Sequence, residues 1–194
     1  MSHGLTVPYP PFFSDNRTNR GFSDLRGRPD VAAGISECAD APALRQILVT
    51  LAQSDSPLFT LGCDLGSHTE DLDGDTQFVA GGYVHIIDTT YWRRDPEDYR
   101  RLAEAVESGM HEGVGEDTWQ IYPSLTCARM RLDSHAFDIE VPLLDFAFFS
   151  VAQSSEDALR SRERLLESAL RAIEGDAVRE LICEWRESDK DGAA

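Results

Sequence analysis

The sequence predicts an α+β fold, in which a mainly antiparallel sheet of five strands is covered by about four helices in the order α-β-β-α-β-β-β-α-α. Two observations lead to this prediction. Several short segments are apolar or alternate apolar and polar residues, as strands do, whereas four longer segments repeat apolar residues at helical spacing. The strand candidates also follow one another as hairpins separated by helices, which favours antiparallel pairing over a parallel doubly wound sheet.

Capping residues and apolar stripes predict two helices in the first half of the chain. The first begins after Asp40 with Pro42 in its first turn, and the second begins after Asp95 with Pro96 at its first position. The apolar stripe of the first helix is Leu44, Ile47, Leu48 and Leu51. The stripe of the second helix is Tyr99, Leu102, Ala103, Val106 and Met110.

Two strands are predicted between these helices. Leu58–Cys63 is a short apolar run, and Phe78–Asp88 is a longer one. Gly81 and Gly82 in the second strand indicate a bulge or a place where another backbone approaches closely. The polar segment Asp64–Thr76 between the strands is predicted to be a loop.

The other three strands are predicted after the second helix. The third is Thr118–Tyr122, which Pro123 is expected to end, and the fourth is Leu125–Leu132. The fifth begins at Phe137 and forms a hairpin with the fourth around a loop at 133–136. The expected cross-strand pairs are Leu132 with Phe137, Arg131 with Asp138, Met130 with Ile139 and Arg129 with Glu140. The charged pairs then form a solvent-exposed ion-pair ladder.

Two further helices are predicted at the end of the chain. Ser154 is the expected N-cap of the first, with Asp157 completing a capping-box-like arrangement. The apolar stripe of this helix is predicted to be Leu159, Leu166, Ala169, Leu170 and Ile173. The stripe of the last helix is predicted to be Val178, Leu181, Ile182 and Trp185.

Residues 1–36 are predicted to be an irregular N-terminal arm ahead of a single α+β domain at 37–194. The arm combines an extended, proline-rich stretch at 8–13 with arginines at 17, 20, 26 and 28. One interpretation is that the arm wraps on its own domain and buries Phe12 and Phe13, as connecting segments usually do. The other is that it contacts a second subunit.

The charge of the chain limits its partners. It has 35 acidic and 18 basic residues, which gives a formal net charge of −17. Such a chain repels nucleic-acid backbones and anionic lipid surfaces and favours basic partners. Nucleic acid and membrane are therefore not expected as partners, whereas a basic protein is.

The sequence also predicts a cytoplasmic protein. It has neither a secretory signal pattern at its N-terminus nor a long uncharged apolar run. Four cysteines at positions 38, 63, 127 and 183 are widely spaced, and three of them lie in apolar segments. We interpret them as reduced core residues.

Short motifs give no support for a cofactor or a metal. Residues 71–75 are similar to a calcium loop, but the sixth position is Thr76 and the twelfth is Gly82, where such loops need Gly and Glu. A zinc-protease helix beginning at His111 would need a second His at the position of Gly115. No cofactor, metal site or catalytic residue is predicted.

A set of polar residues near the second strand is a candidate pocket. A thiol and its base could be assembled around the 62–76 loop, and Asp145 interrupts an otherwise apolar segment, so its carboxylate needs a partner or a cavity. A buried cysteine beside a polar loop and a structural ion pair are the simpler interpretations. The candidate pocket residues are Cys63, Asp64, His68, His85, Asp88 and Asp145.

The function predicted first is noncatalytic: an acidic binding protein that captures a basic polypeptide. The chain resembles small bacterial immunity proteins and secretion chaperones in charge, size and element order alone. The candidate interface residues are Tyr91, Trp92, Trp119 and Tyr122. One alternative is a small-molecule-binding protein or hydrolase that uses the 62–76 loop, and another is a structural module that self-associates as a homodimer through its arm or terminal helices.

Overall fold

A computed structural model describes residues 5–6, 12–14, 17–19, 22–72, 75–90, 94–111, 119–132 and 139–191 of the chain. The helices are α1 (Pro29–Ala32), α2 (Pro42–Leu51), α3 (Pro96–His111), α4 (Ser155–Ile173) and α5 (Asp176–Asp191). The strands are β1 (Leu5–Thr6), β2 (Phe12–Ser14), β3 (Arg17–Asn19), β4 (Leu58–Leu72), β5 (Asp75–Asp88), β6 (Trp119–Leu132) and β7 (Ile139–Ala152). The predicted α+β class is confirmed, and α2–α5 are the four helices expected from the sequence.

The sheet is antiparallel throughout the described pairings, in the strand order β1-β6-β7-β5-β4. It consists of four long strands, because β1 is a two-residue segment paired with the end of β6. The prediction of five strands is therefore wrong. Residues 119–132, expected to be two strands, form the single strand β6.

Pro123 lies inside β6, although we expected it to end a strand. Pro123 pairs with Phe146 of β7, and the recorded pairing on the other side of β6 is with β1 at Arg131 and Leu132. Proline is tolerated where a strand has only one neighbour, since its missing N–H can then be on the unpaired side. The hairpin register was predicted correctly where it is described: Arg129 pairs with Glu140 and Met130 with Ile139.

The segment 64–76, predicted to be a loop, consists largely of strand. β4 runs without interruption to Leu72 and pairs with β5 from Asp75 onward. Residues 66–71, 75 and 76 are exposed, so this hairpin extends beyond the part of the sheet that carries the core. Both strands are exposed to solvent at this end of the hairpin, so their residues are polar. The sequence therefore lacks the alternation of apolar and polar residues that would have predicted a strand here.

All the long helices contribute to one core. Every residue of the predicted stripes of α2, α3 and α5 is buried. In α4 one member of the predicted stripe, Leu159, is instead 39% exposed. The buried face of α4 instead includes Ala158, Arg162, Leu165 and Ser168. Ser168 Oγ donates a hydrogen bond to the Met110 carbonyl oxygen of α3 at 3.1 Å.

The caps of α3 and α4 are those that the sequence predicts. Asp95 Oδ1 accepts from the amides of Glu97 and Asp98 at 2.8 and 3.1 Å, and Ser154 Oγ accepts from the amide of Asp157 at 3.1 Å. In α2 the expected cap is wrong, because Ala41 is the N-cap residue and the carboxylate of Glu163 in α4 accepts from the amide of Ala43.

Close backbone approach explains the glycine pair in β5. A Cβ on Gly81 would lie 2.6 Å from the Phe148 carbonyl oxygen of β7, and one on Gly82 would lie 2.1 Å from the Asp64 carbonyl oxygen of β4. Both distances are far shorter than a carbon–oxygen contact allows. The interpretation of the glycine pair as a place of close backbone approach is confirmed. The register shift between β4 and β5, which is where a bulge would lie, is instead between Thr60 and Gly62.

Residues 22–36 of the N-terminal arm pack on the rest of the chain. Leu25 and Ala32 are buried in the main core cluster, and Phe22 packs against it. Arg26 lies over the Phe59 ring at 5.1 Å and pairs with Asp24 at 2.7 Å. The side chains of Phe12 and Phe13 lie outside the described residues, so their burial stays a prediction. The division of the chain at residue 36 also stays a prediction.

The interpretation of the four cysteines as core residues needs correction. No disulfide joins the four cysteines, but Cys127 and Cys183 are exposed and Cys63 is half-buried, so that Cys38 alone among the four is a buried core residue. Within the described ranges, no helix has the length and apolar character needed to cross a membrane.

Candidate functional site

The two faces of the sheet differ in their covering. α3 and α4 pack against β7, and the side chains beneath them, including Val84, Phe146 and Phe148, are buried. Side chains alternate between the faces of a strand, so their neighbours in sequence lie on the opposite face. We call this second surface the open face; it comprises Asp64 of β4, Tyr83 and His85 of β5, and Asp145, Ala147 and Phe149 of β7, all half-buried.

His85 and Asp145 meet at the centre of the open face. They are direct cross-strand partners, with His85 Nε2 3.6 Å from Asp145 Oδ1. Their side chains are 29% and 26% exposed. The separation exceeds a hydrogen bond, and Asp145 Oδ1 is buried with no hydrogen-bond partner among the described residues. A carboxylate oxygen enclosed without a donor is costly, so it calls for an explanation.

Burial determines the charge of His85. It lowers the pKa of His85 below the ordinary histidine value, and the attraction of Asp145 opposes this shift without reversing it. The imidazole is therefore neutral at neutral pH. Asp145 consequently has an uncharged neighbour rather than an ion-pair partner.

An aromatic surface adjoins this pair. The rings of Tyr83 and His85 lie two residues apart on β5, with centroids 4.6 Å apart and planes inclined by 31°. Asp64 is the cross-strand partner of Tyr83 from β4, as Asp145 is of His85 from β7. The two rings thus lie between two carboxylate-bearing strands.

The other candidate pocket residues lie elsewhere. Cys63 is one residue from Asp64, which places it on the helix-covered face, where it packs against the core cluster. His68 pairs with Val79, six residues along β5 from His85 and therefore about 20 Å away along the strand. His68 is exposed, with Nε2 3.8 Å from Glu70 Oε2.

Asp88 belongs to a separate buried ion cluster. Its Oδ1 lies 3.3 Å from Arg94 Nε, and the same guanidinium bonds to Asp189 Oδ2 of α5 at 2.8 Å. The Arg94 guanidinium also lies over the Trp185 ring at 4.7 Å. The Asp88 amide donates to Tyr99 Oη at 3.1 Å, and burial raises the pKa of Tyr99. This cluster fastens α5 to the end of β5.

The structure therefore brings together three of the six candidate pocket residues on one face: Asp64, His85 and Asp145. Sequence reasoning missed Tyr83, although the period of two through Tyr83, Val84, His85 and Ile86 could have placed it beside His85. Of the candidate interface residues, Tyr91 and Trp92 lie outside the described residues. Trp119 and Tyr122 lie on β6, where their backbones pair with Ser150 and Ala147.

Ser124, Asp145 and His85 are not in the order of a serine–histidine–carboxylate triad. Ser124 of β6 is the cross-strand partner of Asp145 on the side away from His85. The carboxylate thus lies between hydroxyl and imidazole, whereas nucleophilic catalysis needs the imidazole between hydroxyl and carboxylate. The described residues also contain no group of three or more His, Cys, Asp or Glu side chains that could hold a metal ion.

Comparison of the chain with protein-family models, with curated proteins and with solved structures finds no match in any of the three.

Proposed function

We propose that this protein is a noncatalytic binding protein that captures a basic polypeptide on the open face of its sheet. The observation that carries the proposal is the acidic excess of the chain, a net charge of −17, together with the half-buried carboxylates of Asp64 and Asp145 on this face. A cationic group from a partner would pair with the accessible part of these carboxylates. Small bacterial immunity proteins and secretion chaperones act as such binders, and we propose the cytoplasm as the setting.

Charge supports this choice of partner. The net charge of −17 attracts a basic polypeptide over long distances and accelerates its association. The open face contributes carboxylates at Asp64 and Asp145, separated by the rings of Tyr83 and His85. Aromatic and charged side chains close together are typical of the residues that dominate binding energy at interfaces.

The exposure of the face also supports a polypeptide. Its central side chains are half-buried, with exposed fractions of 29% for His85 and 26% for Asp145. A site for a small molecule encloses most of its ligand, whereas a surface of this kind needs the larger contact area of a polypeptide.

The proposal is tested by titrating the full chain with a fluorescein-labelled peptide of alternating lysine, glycine and arginine and following its anisotropy. The face variant Asp64→Asn/Asp145→Asn removes two charges from the open face while keeping side-chain size. We expect it to bind the peptide at least about tenfold more weakly than the original chain.

A matched control separates a site from general attraction. Glu70→Gln/Asp71→Asn removes the same number of charges from the exposed end of the β4–β5 hairpin. We expect a loss of at most about threefold, from the weaker overall field alone. Equal losses in the two variants, or no binding by the original chain, would overturn the proposal.

A further inference from the structure

We infer that the captured polypeptide is bound in an extended form and adds as a strand to β4, on the side of residues 65–72 that faces away from β5. We call this side the outer edge. The inference rests on the proposed function and specifies the conformation in which the basic polypeptide is bound.

β4 is the last strand of the sheet order β1-β6-β7-β5-β4. Among the described residues, its segment 65–72 pairs with β5 alone. A strand at the end of a sheet presents unpaired N–H and C=O groups, to which a second extended chain can hydrogen-bond. The side chains of residues 66–71 are exposed, which leaves the outer edge accessible to such a chain.

The pairing of the hairpin determines which main-chain groups face outward. Leu72 and Asp75 pair around two intervening residues, and a connection this short closes on a hydrogen-bonded pair. Bonds to β5 then recur at every second residue, so the main chain of Glu70 faces β5. The hydrogen bond from Thr76 Oγ1 to Asp71 Oδ1 at 2.8 Å agrees with this phase, because opposite side chains are closer in a pair without main-chain bonds. The residues whose main-chain groups face outward are therefore Ser67, Thr69 and Asp71.

The opposite edge of the sheet has protection that the outer edge of β4 lacks. β6 contains Pro123, and β1 pairs with the end of β6 at Arg131 and Leu132. Proline, lysine and covering segments are the usual means by which proteins prevent the addition of a strand to a sheet edge. Residues 65–72 contain neither proline nor lysine. The outer edge is therefore a place where a partner strand can add.

Charge favours a basic polypeptide over a second copy of this chain as the added strand. Glu70 and Asp71 are exposed at the outer edge of a chain whose net charge is −17. A second copy would bring the same two carboxylates to this edge, and like charges on paired strands are destabilising. Basic side chains would instead form cross-strand pairs of opposite charge. Since exposed pairs are weak, they select the partner, whereas main-chain hydrogen bonds hold it.

The inference is tested with two fluorescein-labelled peptides that alternate lysine with valine, one of them N-methylated at two adjacent central residues. Methylation removes one main-chain donor from each edge of the peptide and leaves its charge unchanged. We expect the original chain to bind the unmethylated peptide about tenfold more tightly. Thr69→Pro removes an outward N–H at a position where an edge strand tolerates proline, and should reduce this preference to about twofold or less. Thr69→Ala keeps the N–H and should keep the preference, as should Glu70→Gln/Asp71→Asn.

Amide hydrogen exchange of the original chain locates the bound peptide without any substitution. We expect a saturating concentration of the unmethylated peptide to slow exchange at Ser67, Thr69 and Asp71 by at least about tenfold. Unchanged exchange at these amides would overturn the inference. Slowing that increases with protein concentration in the absence of peptide would assign the outer edge to a second copy and overturn it as well.

The outcomes distinguish this inference from the proposed function. Equal affinity of the original chain for both peptides overturns strand addition, while the proposed function stands if both peptides bind more weakly to the face variant. Failure of both peptides to bind overturns both. Circular dichroism establishes that each variant folds.

Discussion

At the scale of single residues, burial rather than the acidic neighbour determines the protonation of His85. The pKa of His85 is lowered because desolvation of the imidazolium outweighs its attraction to Asp145. In the unfolded chain the imidazole is solvated, and its pKa is the ordinary value of about 6.5. As the pH falls below that value, the unfolded chain takes up this proton before the folded chain does, so the free energy of unfolding decreases.

We therefore expect His85→Gln to weaken the pH dependence of stability. Between about pH 8 and about pH 5, its free energy of unfolding should decrease less than that of the original chain, because one proton that favours the unfolded state has been removed. Urea unfolding at several pH values measures this difference. His68→Gln, which removes an exposed histidine of the β4–β5 hairpin, is measured alongside as the control. Parallel curves for His85→Gln and the original chain would contradict the prediction.

Gly82 provides a second test at this scale. Because its Cβ would lie 2.1 Å from the Asp64 carbonyl oxygen, Gly82→Ala must push β4 and β5 apart. We expect a loss of about 2 to 4 kcal/mol in the free energy of unfolding, measured with denaturant. Gly66→Ala on the same hairpin is the matched control, since its Cβ would meet nothing within 4 Å. Similar stability of the two variants would show that the close approach is not a constraint.

At the scale of elements, the sequence predicts whatever a local pattern determines. The stripe of α3 and its Asp95 cap could be predicted because spacing and capping chemistry act within a few residues. The register of Arg129 with Glu140 could be predicted because one register pairs apolar residues on one face of the hairpin and opposite charges on the other. Asp145 could be singled out because it is charged within the apolar segment 141–151.

Other elements depend on long-range neighbours that no local pattern contains. Pro123 is compatible with β6 because of where that strand lies in the sheet. The α2 cap comes from Glu163, 120 residues from the amide of Ala43 to which it bonds. The partners of His85 and Asp88 could not be predicted either. Strand pairing places Asp145 beside His85, and the packing of α5 brings Asp189 near Asp88.

Arg94 joins α5 to the sheet through its ion pairs with Asp189 and Asp88. Its substitution therefore tests how strongly these pairs stabilise the contact between the two elements. Its side chain is 4% exposed and binds both Asp88 and Asp189. Arg94→Met keeps most of the volume but leaves these carboxylates without their cation, and we expect a loss of about 3 to 5 kcal/mol. The control, Arg101→Met, breaks the exposed pair with Glu184 and should cost less than about 1 kcal/mol. Thermal and urea unfolding compare the two, and equal losses would contradict the assigned role.

At the scale of the whole molecule, the acidic excess remains after local ion pairs have formed. Arg100 of α3 pairs with Glu97 and Glu104, and Arg160 of α4 pairs with Glu156 and Asp157. Each of these exposed arginines is thus already shared between two carboxylates. Since acidic residues outnumber basic ones by 35 to 18, these pairs cannot neutralise the surface. The remaining charge both repels itself and attracts basic partners.

Salt should therefore change stability and binding in opposite directions. Raising sodium chloride from about 20 mM to about 500 mM shortens the screening length and weakens the self-repulsion of a chain with net charge −17, so we expect its melting temperature to rise. The same screening should weaken binding of the lysine–glycine–arginine peptide. Calorimetry and anisotropy on one preparation measure both effects. A melting temperature that falls with salt would mean that attraction between paired charges, rather than repulsion among the excess carboxylates, dominates the stability of this fold.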